Sequence, residues 1–275
     1  MVFPQFNGGT DWGGAAYDIN DRMIYVNCSN EAEWFAMINL VQGKKVSVYN
    51  YGKQLFSTNC TGCHNNSNIG LKASMNNFSI ADKNRIKKSI YNGKGLMPSF
   101  KNLDEDELNA LSSFILKTGK EEIIEVENSD KIFEIPWVAN GHPELKTKNG
   151  YPINDMPWGT LSGINLDLGE ISWQVPLGTY PELEKKGLSA TGTFNMGGPI
   201  VTAGGLIFIG ATMDERFRAF NKKNGSLMWE YQLEAGGYAT PSTFEVNGKQ
   251  LIIIAGGGQG KPGTKGGNKL YCFGL

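Results

Sequence analysis

The sequence predicts a mainly β protein, built from propeller-like repeats and interrupted by a helical insert. Of the 275 residues, 36 are glycine and only 19% are charged, which is typical of a turn-rich β protein. A Trp-containing pattern recurs in the C-terminal half, and a stretch with helical spacing of apolar residues precedes it. We therefore divide the chain into a first propeller segment (1–46), a helical domain (47–121), a return linker with one strand (122–155) and a C-terminal propeller segment (156–275).

The first propeller segment carries a glycine-flanked tryptophan and a predicted hairpin. Trp12 is followed by Gly13-Gly14, and Asn20-Asp21 separates two β-prone runs. Bare backbone beside the Trp12 ring could let a planar ligand approach closely. The alternative, which composition favours, is a tight turn around a packed Trp.

The motif with the clearest chemistry is Cys60-Thr61-Gly62-Cys63-His64. Two thiols two residues apart, with an adjacent imidazole, suit covalent attachment of a c-type haem. Cys60 and Cys63 would each add to one vinyl group, and His64 would be an axial ligand of the iron. By contrast, a redox dithiol does not need the His, and a structural zinc site would need further ligands in a closed tetrahedral geometry.

Three helices are predicted around this motif. Residues 51–59 lead into it, and 80–91 and 104–118 follow with apolar residues one helical turn apart. Asp104 with Glu107 has the spacing of a capping box at the start of the third helix.

Met97-Pro98 offers a thioether on a turn between the second and third helices. A lone Met more often fills a core, but the flanking helices favour a ligand here. Three helices in this order around the Cys-x-x-Cys-His motif and a late Met-Pro resemble a class I type cytochrome c domain. The resemblance implies that His64 and Met97 are the iron ligands.

The C-terminal segment repeats itself. The Asn, Gly and Trp of 165–173 recur at the same positions of 221–229, an offset of 56 residues that is near the period of a propeller blade. Buried-strand runs bounded by glycine lie at 204–211 and 251–256. Four-stranded sheets of this kind bury their faces only against neighbouring sheets, so we expect Trp173 and Trp229 to pack between blades.

Several motifs together resemble a known family. They are Trp12-Gly13-Gly14, the Trp repeats, and the segments 193–199, 217–220 and 236–241. With them the chain resembles the C-terminal part of a pyrroloquinoline quinone (PQQ) dependent quinoprotein dehydrogenase of the membrane glucose dehydrogenase-like group. The resemblance implies a partial eight-bladed β-propeller with PQQ on its axis beside Ca²⁺, of which about four blades belong to this chain.

Carried over to this sequence, the family pattern places the Thr10-Asp11-Trp12 loop against PQQ. The group usually has Asn at the position of Asp11, and a carboxylate there would repel the acids of the cofactor. The catalytic residues and most Ca²⁺ ligands are expected upstream of Met1, in a missing N-terminal propeller half. The isolated fragment is therefore expected to be inactive.

The resemblance implies a periplasmic quinohaemoprotein dehydrogenase that oxidises a sugar or an alcohol at PQQ. Electrons would then pass through haem c to an external acceptor. The alternatives are a non-catalytic electron carrier with a propeller-like docking surface, and a redox-sensing scaffold.

Composition limits the other classes of function. A net charge of −1 argues against nucleic acid as a partner, and no stretch is long and apolar enough to span a bilayer. Cys28, Cys272 and His142 stand alone, so His142 is expected to be a surface or hydrogen-bonded residue. The residues after Met1 do not form a signal peptide, whereas haem c is normally attached outside the cytoplasm. We therefore expect the true start upstream, or on another polypeptide.

Overall fold

A computed structural model describes most of the chain. The described residues are 1–5, 9–10, 13–39, 45–60, 64, 78–95, 97–126, 137–139, 144–260 and 262–274. They form two compact units: a β unit, mainly Met1–Trp34 and Glu144–Leu275, and a helical unit, mainly Phe35–Ser67 and Leu71–Pro143. The predicted class, mainly β with a helical insert, is confirmed, while the predicted domain boundaries stay a prediction.

The strands and helices are numbered in chain order. The strands are β1 (Ala16–Asp18), β2 (Met23–Ser29), β3 (Met37–Asn39), β4 (Lys45–Ser47), β5 (Ile123–Glu125), β6 (Trp137–Ala139), β7 (Gly159–Asn165), β8 (Glu170–Pro176), β9 (Ile200–Val201), β10 (Leu206–Ile209), β11 (Arg216–Asn221), β12 (Leu227–Gln232), β13 (Ser242–Val246), β14 (Lys249–Gly258) and β15 (Gly266–Gly274). The helices are α1 (Val48–Asn59), α2 (Lys83–Asn92), α3 (Glu105–Ile115) and α4 (Pro181–Glu184), with a 3-10 helix at Ile80–Asp82.

The β unit contains three antiparallel sheets among the described residues. The first has the order β1-β2-β7-β8, the second β12-β11-β10-β9, and the third β13-β14-β15. This is fewer than the expected four blades. The reason is that the N-terminal segment does not form a blade of its own, because β1 and β2 share the first sheet with β7 and β8.

The β2–β7 ladder joins the two propeller segments. Seven consecutive pairs run from Met23↔Asn165 to Ser29↔Gly159. The amide of Asn30 continues the ladder by donating to the carbonyl of Trp158 at 2.9 Å. The helical unit is therefore inserted between the second and third strands of one sheet, in the place of a hairpin loop.

The repeated tryptophans pack between sheets, as predicted. Trp173 of the first sheet donates from Nε1 to the carbonyl of Lys222 in the second, at 3.0 Å. Its ring covers Gly225, where a Cβ would lie 2.5 Å from a ring carbon. Trp229 of the second sheet meets Phe273 of the third, with ring centroids 5.2 Å apart. Each tryptophan thus holds its sheet to the next one along the chain.

Two apolar clusters fill the spaces between neighbouring sheets. The cluster with members from the first and second sheets contains Ala16, Tyr25, Leu161, Leu177, Ile207, Ile209, Ala211 and Phe220. The cluster with members from the second and third sheets contains Phe208, Phe217, Ala219, Leu233, Ile252 and Ile254. Strand alternation explains this division: successive residues of β10 point to opposite faces, so Ile207 and Ile209 belong to one cluster and Phe208 to the other.

The helical unit forms its own core. Ser47 caps α1 by accepting the Asn50 amide at 3.2 Å. The capping box predicted for α3 is confirmed, since Asp104 accepts the Glu107 amide at 2.8 Å and Glu107 accepts the Asp104 amide at 2.9 Å. Helices α1 and α3 cross so closely at Gly52 that a Cβ there would lie 1.9 Å from the Ala110 carbonyl oxygen. The buried core residues are Val48, Leu55, Phe56, Cys60, Ile86, Ile90, Leu103, Leu108, Ala110 and Leu111.

Two short strands that precede the helices in the sequence pair with two short strands that follow them. Strand β4 pairs with β5, and β3 pairs with β6, both antiparallel. The predicted return linker therefore contributes two strands, β5 and β6, where one was expected. Because both pairs bring the ends of the insert together, the insert can occupy a single loop of the β unit.

A charged contact between the first and second sheets yields the first testable prediction. Lys222 Nζ lies 2.5 Å from Asp18 Oδ2 and 2.8 Å from Asp21 Oδ2. The Lys222 hydrogen bond lowers the pKa of Asp18 below its ordinary value of 3.8. The contribution of this group to stability is therefore present above that value, and is lost as the pH falls through the lower pKa of the folded state.

We expect Lys222→Gln to lower the free energy of unfolding by about 2 kcal/mol at pH 7, because a charge-assisted hydrogen bond to a buried carboxylate is lost. In denaturant titrations the difference from wild type should shrink as the pH falls below 3.8 and through the lower pKa that Asp18 has in the folded protein. Lys223→Gln, at an exposed neighbouring position, is the matched control. Equal losses in both variants, or a difference that does not change with pH, would contradict the assignment.

Candidate functional site

The described part of the Cys-x-x-Cys-His motif continues α1. Cys60 is the C-cap of α1, and its amide donates to the carbonyl of Phe56 at 2.8 Å. The amide of His64 donates to the carbonyl of Cys60, also at 2.8 Å, so one further turn brings the imidazole back toward the helix. Residues 61–63, and with them Cys63, lie outside the described residues.

The environment of His64 favours a neutral ring. The centroid of the imidazole ring lies 6.3 Å from that of the Phe56 ring, and Phe56 is a member of the apolar core. Partial burial lowers the pKa of His64 below its ordinary value, because removal from water disfavours the charged form. A neutral imidazole has an unprotonated nitrogen that can bind a metal.

Met97 lies on a short loop anchored to α2. The amides of Lys94 and Met97 each donate to the other residue's carbonyl at 3.1 Å, and the amide of Phe100 donates to the carbonyl of Ile90 at 3.1 Å. The Met97 side chain is half-buried and packs against the apolar core that contains Cys60. Cys60, His64 and Met97 therefore all border one apolar core.

This donor set fits a c-type haem. A thiol, a neutral imidazole and a thioether are the groups that attach and ligate haem c, and Met as sixth ligand favours electron transfer. Phe78 and Phe100 also pack against the core and add aromatic surface of the kind a porphyrin contacts. The assignment of Cys60, Cys63, His64 and Met97 to haem stays a prediction.

The glycines after Trp12 pack against other loops. A Cβ on Gly13 would lie 2.1 Å from the Gly197 carbonyl carbon, and one on Gly198 would lie 2.0 Å from the Gly13 carbonyl oxygen. Thr240 Oγ1 donates to the same Gly13 oxygen at 3.2 Å. Gly13 is therefore needed for close contact between loops. Asp11 and Trp12 lie outside the described residues, so the PQQ contact of Trp12 stays a prediction.

A buried amide network supports these loops. Asn27 Nδ2 donates to Asn195 Oδ1 at 2.7 Å and to the carbonyl of Gly197 at 2.9 Å. Asn195 Nδ2 donates to the carbonyl of Cys28 at 3.0 Å. Sequence reasoning missed Asn27 and Asn195. Strand alternation gives the signal that could have found Asn27, since it shares a buried face of β2 with Tyr25.

Asp214 and Arg218 form a second buried network that sequence reasoning missed. Asp214 accepts hydrogen bonds from Arg218, from Thr212 Oγ1 at 2.5 Å and from the Thr179 amide at 2.9 Å. Burial would raise the pKa of Asp214, but the Arg218 charge and these hydrogen bonds lower it overall. Through the Thr179 amide, the ionised Asp214 links the segment before β11 to the segment after β8.

The rest of the described residues contain a small cavity, but no cluster of metal-binding side chains and no helix that could span a membrane. A cavity of about 220 Å³ is lined by Tyr151, Tyr180, Glu182, Phe194 and Met213, among others. This is below the range of about 300–1,000 Å³ typical of small-molecule sites. Within the described ranges, no group of three or more His, Cys, Asp or Glu side chains could hold a metal ion, and no helix is long and apolar enough to cross a membrane. His142 lies outside those ranges.

Two sequence families match the chain. The β-propeller domain of glucose/ethanol/alcohol dehydrogenases, named PQQ, matches residues 104–252, more than half of the chain. The family of cytochrome c oxidase, cbb3-type, subunit III matches residues 48–115.

Individual proteins match part of the chain. Quinoprotein glucose dehydrogenase A of Acinetobacter calcoaceticus is 42% identical over 130 residues, which are 46% of this chain and 16% of that protein. Quinoprotein glucose dehydrogenase of Escherichia coli K12 is 38% identical over 148 residues, 52% of this chain and 18% of that protein. The chain thus spans less than a fifth of the length of these relatives. A solved quinohemoprotein alcohol dehydrogenase from Comamonas testosteroni is 15% identical, with a TM-score of 0.47 over 97% of this chain and 26% of that one.

The second testable prediction concerns the Met97 loop. Gly93 has a φ of +75°, and a Cβ there would lie 2.7 Å from the Met97 carbonyl oxygen. Gly93→Ala should therefore displace Met97 and, in the haem-loaded protein, weaken the thioether-to-iron absorption band. Gly95→Ala is the matched control, because Gly95 also has a positive φ, +61°, but a Cβ there has nothing within 4 Å. Gly93, with φ +75° and ψ +167°, also lies in a backbone region essentially confined to glycine, so Gly93→Ala carries in addition roughly 1–3 kcal/mol of backbone strain. A band weakened equally in both variants would contradict the prediction.

Proposed function

The chain belongs to the glucose/ethanol/alcohol dehydrogenase β-propeller family, and from this we propose that it is the C-terminal part of a periplasmic, PQQ-dependent quinohaemoprotein dehydrogenase. The observation that carries the proposal is the β2–β7 ladder, which joins strands on both sides of a cytochrome-like unit into one sheet whose β7 and β8 lie within the residues matched by the propeller family. A sugar or alcohol is the proposed substrate. An external protein is the proposed electron acceptor.

The proposed roles of PQQ and haem c follow from the number of electrons that each cofactor carries. When bound, PQQ supplies a two-electron acceptor for the substrate, and haem c supplies a one-electron carrier. Cys60 and Cys63 would hold the haem covalently, and His64 and Met97 would ligate its iron. Two protein ligands on the iron would leave no open site for oxygen or substrate, which suits electron transfer. Trp12 is the residue of this chain proposed to contact PQQ, and Ca²⁺ is proposed to be held mainly by residues of the family's propeller that this chain does not cover.

A non-catalytic electron carrier is the second candidate. It is favoured by the contrast between a helical unit with its own buried core and a β unit with only three sheets among the described residues. Under this interpretation the β unit would be a docking surface without PQQ.

Haem attachment is the first test of the proposal, and the third testable prediction. Produced together with haem-attachment machinery, the chain should keep its haem on a denaturing gel, because thioether bonds survive unfolding. Met97→Ala should abolish the thioether-to-iron band without releasing the haem. Haem that is lost on denaturation of the wild type would refute covalent attachment.

The fourth prediction tests the proposed domain limits. We expect residues 47–121, expressed with bound haem, to melt cooperatively, since the apolar core of the helical unit is local. A fragment of residues 45–125 should melt at a higher temperature. It retains the β4–β5 pair and the hydrogen bond from the Val48 amide to the Glu122 carbonyl, 2.8 Å long. A haem-loaded 45–125 fragment that stays disordered would refute these limits.

The fifth prediction separates the enzyme from the carrier. The isolated chain should not oxidise glucose or alcohols even with PQQ and Ca²⁺ added, because the three sheets of the described residues cannot close a ring and the catalytic groups are proposed to lie in the part of the family's propeller that this chain does not cover. Adding the N-terminal part of a family member, fused or as a second chain, should restore substrate-dependent reduction of the haem. Turnover by the isolated chain would show that the catalytic residues are misplaced. A completed propeller with bound PQQ that never reduces the haem would favour the carrier.

A further inference from the structure

We propose that the surface around the Met97 loop is the docking site of an acidic electron-acceptor protein, and that Lys88, Lys94 and Lys101 attract this partner. The inference rests on the proposed function, because it assumes a haem ligated by Met97. It adds the place where electrons leave the chain and the kind of protein that takes them.

The charge of this region differs from that of the whole chain. Residues 83–101 contain six Lys and Arg and not one Asp or Glu, whereas the 275 residues together have a net charge of −1. The positive charge is therefore local, and a local patch orients a charged partner in a way that a uniform net charge does not.

The fold arranges this charge around Met97. Helix α2 buries Ile86 and Ile90 in the core and leaves Lys88 exposed. Lys94 is exposed and forms the paired backbone hydrogen bonds with Met97. Lys101 is exposed directly after Phe100, whose amide is bonded to the end of α2. All three lysines thus stand on α2 or on the loop that carries the proposed ligand.

These three lysines have no ion-pair partner among the described residues. Two other cations of the segment are neutralised: Arg85 pairs with Asp82 at 2.7 Å, and Lys87 pairs with Glu105 at 2.5 Å. Lys83 is half-buried at the opposite end of α2 from the Met97 loop. Paired charges attract a distant partner only weakly, so the net positive field comes from the lysines left over.

The acids at the start of α3 are engaged elsewhere. Asp104 and Glu107 form the capping box. Together with burial, the charges of Glu107, Asp104 and Asp106 raise the pKa of Tyr51 on α1 to about 12, so these carboxylates lie close to its hydroxyl. Glu105 is paired with Lys87, and the other three carboxylates lie near Tyr51 of α1, whereas the three lysines stand on α2 and on the Met97 loop.

The Met97 loop also allows a partner protein to approach closely. Gly95, Pro98 and Ser99 are exposed and carry small side chains. A protein surface can therefore come near the Met97 backbone without displacing large groups. Short separation matters because electron transfer slows steeply with distance.

The experiment measures how fast the reduced haem passes its electron to acceptors of opposite charge. The haem-loaded full chain is reduced with ascorbate and mixed in a stopped-flow instrument with oxidised mitochondrial cytochrome c. This acceptor is used in its native basic form and after succinylation, which makes the same protein acidic. At low ionic strength we expect the acidic form to react about 10-fold faster or more, and its advantage to shrink as salt is added.

Charge reversal locates the site. Lys88→Glu with Lys94→Glu and Lys101→Glu should remove the preference for the acidic acceptor and make its rate rise with salt. The matched control, Lys117→Glu with Lys186→Glu and Lys223→Glu, makes the same change in net charge at exposed positions on other elements, and should keep most of the preference. If the first triple variant does not fold, the corresponding Lys→Gln triple variant should show an intermediate loss.

Three results would overturn the inference. They are equal rates for the two acceptors, equal loss in the two triple variants, and lysine-dependent binding to anionic lipid vesicles without any preference between the acceptors. The last result would assign the patch to a membrane surface. A chain that does not hold haem would overturn the proposed function as well, and its absorption spectrum shows this before any acceptor is added. A charge preference that persists without substrate-driven reduction of the haem would count against the proposed function alone.

Discussion

The fold of the β unit depends on the pairing of β2 with β7. Seven residue pairs join a strand near the N-terminus to one that follows the whole helical unit. Such an insertion costs a sheet little, because each doubling of loop length adds only about 0.6 kcal/mol of closure entropy. The ends of the insert are also held together by the β3–β6 and β4–β5 pairs, so the two strands meet much as they would across a short hairpin.

Once the first sheet is formed, stacking of sheets organises the rest of the β unit. Trp173 and Trp229 stand in the outer strands of two successive sheets, and each reaches the sheet that follows. Glycine makes the close contacts possible, since a side chain at Gly225 would collide with the Trp173 ring. The same stacking brings the loops at Gly13 and Gly197 together, and Asn27 holds the second of these loops with hydrogen bonds to Asn195 and Gly197.

The helical unit, unlike the β unit, is stabilised by local contacts. Its core is formed by helices close in sequence, and the crossing of α1 and α3 at Gly52 leaves no room for a side chain. That core is bordered by the groups predicted to hold haem, and the loop carrying Met97 is attached to α2 by backbone hydrogen bonds. A unit with these properties can be inserted as a block, because the described residues of its core and its predicted ligands all belong to the helical unit.

The sequence by itself determined the features that are local. The helices, the α3 capping box, the Trp repeat and the haem motif each follow from residues a few positions apart, where spacing alone fixes which side chains can meet. Only the tertiary structure decided the features that join distant residues. Among these are the shared first sheet, which leaves three sheets among the described residues where four blades were expected, and the use of Gly13 for loop packing. The pairing of Asn27 with Asn195 is another. Local periodicity shows that a strand exists but not which strand it pairs with, since the partner is selected by the burial of complementary faces that are far apart in the chain.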